Sequence, residues 1–454
     1  MIKNVIAVID GEAGSCGKAK VIGEIATDKS IELGASVTNC MPNAGHTFVD
    51  EFGHATIFRN IPVSAVNPNT ELFIGPGSAI DMGIFENEYE NVKEYLGNRK
   101  IYVHEMVPLI EERHKQYEKK KIKSGSTFKG CGAVTHEKVI RDKNLKFFKS
   151  YKNAIVCSNN EWFERLYNHL DNKEEYVMLE GAQGCDLDLN HSGNYPYVTS
   201  RNVSTAQLLA DSGISAERLL QTIMVIRPFP IRISNITESG QIIYTGDYGT
   251  GNELTWTQIN LASMHQRYPH YNDINCYDNS LDISKVNYLF QHCPKVYLKQ
   301  LFGENYKEKD LTAITLLEAL ELERLIYKAK GISQYQTKLI ELPTFDSNYN
   351  DNTIFDQSEQ TTVTKLERRV FDLDIAKLKT NCKINTPSSL YLNFFQHLSL
   401  DFKGEIGNFN DYHFNRYLRE YFNWLENETG IEISALGTGP KNNEKIIKKN
   451  LIKE

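Results

Sequence analysis

Residues 4–10, Asn-Val-Ile-Ala-Val-Ile-Asp, form an apolar, largely β-branched run, which predicts a strand buried on both faces. The run stops at a glycine-rich stretch, and Lys18–Asp28 then reads as a helix. Strand, glycine loop and helix in that order make the first half of a βαβ unit. Short apolar runs recur at Glu71–Ile74, Ile101–Val103, Tyr176–Leu179 and Leu220–Val225, alternating with helical segments such as Glu86–Tyr95 and Asn159–Asn172. That rhythm predicts an α/β fold with a largely parallel central sheet flanked by helices. From about Leu261 the texture changes. Tyr268–Tyr277 is rich in Tyr, Asn and His, Leu311–Lys330 has a helical pattern, and Asp346–Asn352 is polar. Residues 261–357 are read as an inserted subdomain within a catalytic domain built from 1–260 and 358–454. The tail, Glu444–Lys453, reads as the end of a basic amphipathic helix with a solvated face.

Composition narrows the class. The 454 residues are 41% hydrophobic and 11% aromatic, ample for a buried core and too apolar for a disordered chain. The charge balance, 51 Lys+Arg against 58 Asp+Glu for a net −7, argues against wrapping nucleic acid. No apolar run approaches the roughly 18 residues of a membrane span, and Met1-Ile2-Lys3 leads directly into a strand, so a cytoplasmic protein without membrane contact is expected. Cysteines at 16, 40, 131, 157, 185, 276, 293 and 382 include no C-x-x-C and read as reduced thiols.

Five polar stretches carry candidate chemistry. Gly14-Ser15-Cys16-Gly17-Lys18-Ala19-Lys20 is a glycine turn opening a helix, which aims backbone N–H groups and the positive helix end at one spot suited to phosphate. It is not a Walker A loop, because Glu12 and Ala19 stand where that pattern needs Gly and Ser or Thr. Asn43-Ala44-Gly45-His46-Thr47 puts an imidazole beside a close-approach glycine and two polar groups, a candidate general acid. Glu180-Gly181-Ala182-Gln183-Gly184 closes an apolar strand, where open α/β sheets bind ligands, and His191–Ser200 supplies further donors and acceptors. Ser124–Gly130, with Thr127 and Lys129, followed by Arg141, suits a nucleotide 5′-phosphate or a plain surface loop. In Thr361-Thr362-Val363-Thr364-Lys365-Leu366-Glu367-Arg368-Arg369, paired arginines beside threonines suit a dicarboxylate or a solvated helix start.

Taken in order, these stretches resemble the adenylosuccinate synthetase family, through Asn43–Thr47, Glu180–Gly184, Tyr195-Pro-Tyr-Val-Thr199-Ser200 and Gly437-Thr-Gly439-Pro440, over about 4–255 and 358–443. The resemblance implies a P-loop-related α/β fold and the joining of aspartate to C6 of a purine monophosphate at the expense of a nucleoside triphosphate. Three departures refine it. Ser15 stands where the family carries an aspartate general base, and a serine cannot act as a base without a partner. Leu392–His397 lacks the family carboxylate that reads guanine, whereas Gln396 presents a donor and an acceptor to an adenine edge. Lys365 and Leu366 alter the aspartate loop while Arg368 and Arg369 persist. Together with Tyr244–Trp256, these features are most similar to the family's phage form, which acts on dGMP.

The resemblance then implies ATP or dATP as co-substrate, Mg²⁺, and a homodimer with Arg141 supplied across the interface. It implies that Ser15, Cys16, Gly17, Lys18, Ala19, Gly45, His46, Thr47, Asn393, Gln396, Gly439 and Pro440 hold ATP, with Ser15 and Gly45 near the metal. Ser15, Asn43, Thr127, Lys129, Arg141, Gln183 and Thr199 would contact the purine monophosphate. Thr361, Thr362, Val363, Thr364, Arg368 and Arg369 would take aspartate. Ser15, Lys18, His46 and Gln183 are the catalytic candidates, His46 stabilising or protonating at O6. An IMP-dependent enzyme and a nucleotide-binding pseudoenzyme are the alternative readings.

Overall fold

The computed structural model describes residues 1–122, 126–232 and 368–452, together with 234–236, 242–244, 248, 249, 251–254, 256, 259, 263, 298 and 359. β1 (Val5–Asp10) is buried throughout, as its unbroken apolar run predicts, with Val5 and Ala7 in one apolar layer and Ile6 and Val8 in the other. There follow β2 (Leu33–Thr38), β3 (His46–Val49), β4 (Ala55–Phe58), β5 (Glu71–Ile74), β6 (Ile101–His104), β7 (Ala154–Cys157), β8 (Tyr176–Glu180) and β9 (Leu219–Ile226). Beyond them lie β10 (Ile231–Arg232), β11 (Ser234–Ile236), β12 (Ile242–Tyr244), β13 (Glu253–Leu254), β14 (Arg369–Phe371), β15 (Ser389–Leu392), β16 (Gly407–Asn408), β17 (Ile433–Gly437) and β18 (Lys445–Ile447). The helices are α1 (Lys18–Thr27), α2 (Met82–Leu96), α3 (Glu112–Lys121), α4 (Cys131–Val139), α5 (Asn159–Leu170), α6 (Thr205–Asp211), α7 (Ile375–Asn385) and α8 (Arg416–Thr429).

Among the described residues, eleven strands form one sheet in the order β16-β18-β17-β15-β9-β1-β8-β2-β5-β6-β7. Its pairings are parallel apart from β17–β18. Because β1, β2, β8, β15 and β17 run in one direction, the loops that follow them all emerge at one edge, where open α/β sheets bind ligands. Those loops are Gly11–Gly17, Asn39–Gly45, Gly181–Gly184, Asn393–Gln396 and Thr438–Pro440.

The strands and helices read from the sequence up to Val225 are all present, within a residue or two at their ends except that α2 begins four residues before Glu86, at Met82. The tail is not. Residues 445–447 form β18, which pairs with both β16 and β17 and buries Ile446, so closing the sheet edge outweighs the helical pattern. Lys448 and Lys449 donate their backbone N–H groups to Ser434 O, fixing the extended course. Of 261–357, Ser263 and Leu298 are described and buried; the helix read at 311–330 lies outside the described residues. Among the described residues, no helix is long and apolar enough to cross a membrane.

Candidate functional site

β1 ends in Asp10, a carboxylate with no exposed surface. It accepts from the N–H groups of Glu12 at 3.0 Å, Gly14 at 3.3 Å and Cys16 at 3.0 Å, and pairs with Lys18 Nζ at 3.2 Å. The loop after β1 is thus wound around a carboxylate of its own, which occupies donors that phosphate-binding loops turn toward an anion. Lys18 also donates to Gln183 O at 2.7 Å, joining this loop to the one after β8. Cys16 is buried, and its thiol donates to Asp10 and Glu12, both at 3.2 Å. It therefore points away from the cavity that Ser15, Gly17, Lys18 and Ala19 line. Burial, with Asp10 beside it, pushes the Glu12 carboxyl well up. Gly17 has φ 83°, and a Cβ there would lie 2.1 Å from Asn393 Nδ2, whose amide donates to Cys16 O at 2.9 Å. Only glycine admits that buttress.

Asn43, Gly45, His46 and Thr47 line the same cavity. Their loop is held from behind: Arg59 donates to Ala44 O at 3.0 Å, and Asn60 donates to Cys40 O at 2.8 Å. Glu88 of α2 accepts the backbone N–H groups of Arg59, Asn60 and Ile61 at 2.6, 3.0 and 2.9 Å. Burial, with the Lys18 and Arg59 cations, pushes the His46 imidazole down to about 3. The ring is neutral, so it offers a hydrogen bond rather than an imidazolium proton.

Thr127, Gln183, Thr199, Tyr195 and Tyr197 complete the side facing α3. Gln183, Ser15 and Phe394 have φ of 62°, 59° and 57°, so three cavity-lining residues sit in the left-handed region that non-glycine residues seldom occupy. Glu118 of α3 faces the cavity and fixes the start of α4 by accepting from Gly130 and Gly132 N–H, both at 2.7 Å. Lys129 and Arg141 do not line the cavity; Arg141 is exposed just beyond α4, at φ 59°.

Across the cavity stand Asn393, Phe394, Gln396, Gly439 and Pro440. Gln396 Oε1 is buried with no hydrogen-bond partner among the described residues. Arg232 and Arg368 contribute to the wall. Arg369, next in β14, turns away and pairs with Glu253 at 2.6 Å, as alternation along a strand requires. Thr361, Thr362, Val363 and Thr364 lie outside the described residues. The cavity measures about 800 Å³, within the range of nucleotide sites. Ser15 and Gly45 both line it; a serine hydroxyl and a backbone carbonyl are hard oxygen donors of the kind that fit Mg²⁺ when substrate phosphates complete its shell. Asp10, Glu118 and Arg227 were not singled out from the sequence. Asp10 alone left a signal, as the charged terminus of a buried apolar strand.

A model of the adenylosuccinate synthetase family matches residues 7–153 and 142–241. The N6-succino-2-amino-2′-deoxyadenylate synthase of Vibrio phage phiVC8 is 35% identical over 271 residues, covering 57% of this chain and 74% of that protein. The enzyme of the same name from Acinetobacter phage SH-Ab 15497 is 29% identical over 291 residues, covering 58% and 74%. The adenylosuccinate synthetase of Pyrococcus horikoshii is 29% identical over 236 residues, covering 50% and 66%. Among solved structures, the succinoaminodeoxyadenylate synthetase of cyanophage S-2L, bound to dGMP and dATP as an energy donor, superposes with a TM-score of 0.65 at 22% identity, covering 98% of this chain and 96% of that one. Fully ligated adenylosuccinate synthetase from Plasmodium falciparum gives 0.60 at 15% identity, covering 98% and 100%. At these identities the two structures bear on the fold alone.

Proposed function

The chain belongs to the adenylosuccinate synthetase family, and from that premise we propose that it is a form that acts on dGMP. It is a ligase that joins L-aspartate to C6 of dGMP with hydrolysis of ATP or dATP, giving N6-succino-2-amino-dAMP, ADP or dADP, and phosphate. The γ-phosphoryl group passes to O6 as its bond to the β-phosphate oxygen breaks and ADP or dADP is released, and the N1 proton goes to solvent water. The aspartate amine then adds at C6, and phosphate leaves. Such chemistry needs mainly positioning and charge neutralisation. Lys18 and the loop N–H groups outside the Asp10 cluster meet the triphosphate, and neutral His46 donates at O6. Asn43, Thr127, Gln183 and Thr199 hold the purine monophosphate. Arg368, with 361–364, receives aspartate. Ser15 and Gly45, with the substrate phosphates, would hold Mg²⁺, which would supply further charge neutralisation. Gln396, with its unpartnered acceptor, takes the adenine amine. Arg141 reaches the dGMP phosphate of the neighbouring subunit in a homodimer. The six cysteines among the described residues are free and buried, in keeping with a reducing cytoplasm.

The observation that carries this reading is Ser15: a serine lines the cavity where the family's loop holds a carboxylate, a smaller side chain that leaves room for a 2-amino group and can accept from it. The test is to give purified protein ATP, Mg²⁺, aspartate and dGMP. Release of ADP and phosphate, with the succinylated product identified by mass, is expected. Faster turnover of IMP than of dGMP would make it an ordinary adenylosuccinate synthetase. Calorimetric binding of dGMP without turnover would make it a binding protein.

A further inference from the structure

Arg227 lies directly after β9, with no exposed side-chain surface. Its guanidinium forks onto Glu359, with Nη1 at 3.1 Å from Oε2 and Nη2 bonded to Oε1. Arg368 Nη1 meets the same carboxylate at 2.8 Å, and Arg368 N–H donates to Glu359 O at 2.8 Å. The other face of the cluster touches the nucleotide side. The Arg227 guanidinium lies 4.1 Å from the centre of the Phe394 ring and donates to Ser15 O at 3.3 Å. His397 Nε2 stands 3.8 Å from Glu359, and Trp256 packs against that imidazole while donating to Arg368 O at 2.9 Å. Both arginines therefore end on cavity-lining groups: Arg368 itself, and Phe394 through Arg227.

We propose that Glu359 is a positioning residue that fixes Arg368 and the Arg227-backed ring of Phe394 together, so that one half-buried carboxylate sets the aspartate and nucleotide-base subsites. The proposal rests on the functional reading above for the identity of the two ligands. Two guanidiniums in a water-poor site repel unless a carboxylate lies between them. A cation held against an aromatic face also keeps that ring in one plane for a base to stack upon. Burial would raise the Glu359 carboxyl, but Arg227 and Arg368 outweigh it and hold it down to about 2, so the charge persists at any working pH.

The experiment is Glu359→Gln in the full chain, with steady-state constants measured separately for aspartate, ATP and dGMP. Expected is a rise of at least ~10-fold in KM for both aspartate and ATP. KM for dGMP, whose proposed contacts meet the cluster only where Arg227 donates to the Ser15 backbone carbonyl, should change by less than ~2-fold, and kcat by less than ~3-fold. Glu359→Asp, which keeps the charge on a shorter arm, should fall between the wild type and the Gln variant; if the Gln variant does not fold, the Asp variant alone gives the same test. Unchanged KM for aspartate and ATP would overturn the proposal. So would a parallel change in all three KM values, the mark of a merely structural residue. If the wild type itself fails to turn over, the functional reading fails. Glu359 is then judged by calorimetry with ATP, where ~10-fold weaker binding by the variant supports its role and equal binding overturns it.

Discussion

Ser15 occupies a backbone conformation that aspartate tolerates better than most residues, so Ser15→Asp should not distort the loop. Its effect is electrostatic and steric. A carboxylate would stand beside Lys18 and the incoming phosphates and crowd the 2-amino group of a guanine nucleotide. We expect kcat/KM to shift toward IMP by at least ~10-fold, about 1.4 kcal/mol of differential transition-state binding. Competition between IMP and dGMP reads it directly; improved use of dGMP would mean that serine is an impairment. Gln396 gives a second test at this scale. Its buried Oε1 has no partner among the described residues and can accept from an amine while its NH₂ can donate, whereas aspartate only accepts. Wild-type KM should be well below that for GTP when ATP is the donor. Gln396→Asp with Phe394→Lys should narrow the gap, and a wild type that prefers GTP would refute the assignment.

At the scale of elements, the His46 loop depends on α2 as much as on its own strand. Glu88 is fully buried, and burial pushes its carboxyl up to about 7 despite three backbone N–H donors. The carboxyl is raised from 4.5 in the unfolded chain to about 7. Its contribution is therefore fully present below 4.5 and is lost as pH rises through 7. Glu88→Gln does not titrate. The stability gap between wild type and variant, from urea midpoints, should thus narrow by about 2 kcal/mol between roughly pH 5 and 7.5; a constant gap would show that Glu88 does not titrate in that window. None of this was legible in the sequence, where Glu88 is one acidic residue on a helix with several. The glycine turn itself was legible, because a buried apolar run ends at Asp10 and a helical pattern begins at Lys18. The inward turn of Cys16 was hidden, since it depends on Asp10 six residues earlier. β2, Leu33-Gly-Ala-Ser-Val-Thr, is buried throughout yet too small and polar to stand out as a strand.

For the whole molecule, the βα rhythm of the first half was enough to foresee a parallel sheet, and a parallel sheet gathers its loops at one edge. What the rhythm could not supply was strand order, which puts the loop after β15 beside the one after β1 through contacts such as Asn393 to Cys16. Nor could the pattern reveal that residues 445–447 finish the sheet. The same geometry frames the question of assembly. Every motif residue of the purine side that is described lines one cavity except Lys129 and Arg141, and Arg141 stands exposed beyond the end of α4. The proposed homodimer gives an arginine so placed a second copy of the chain to serve. Arg141→Ala and Lys18→Ala should each be nearly inactive alone. Mixed after mild dissociation, they form heterodimers in which one site has its own Lys18 and the partner's Arg141, while the other lacks both. Random pairing makes half of the dimers mixed, with one site in two intact, so activity should return to about a quarter of the wild type. Recovery is read as phosphate release against the unmixed variants. If the mixture stays as inactive as its parts, while the wild type runs as a dimer on sizing columns, Arg141 acts within its own subunit or not at all.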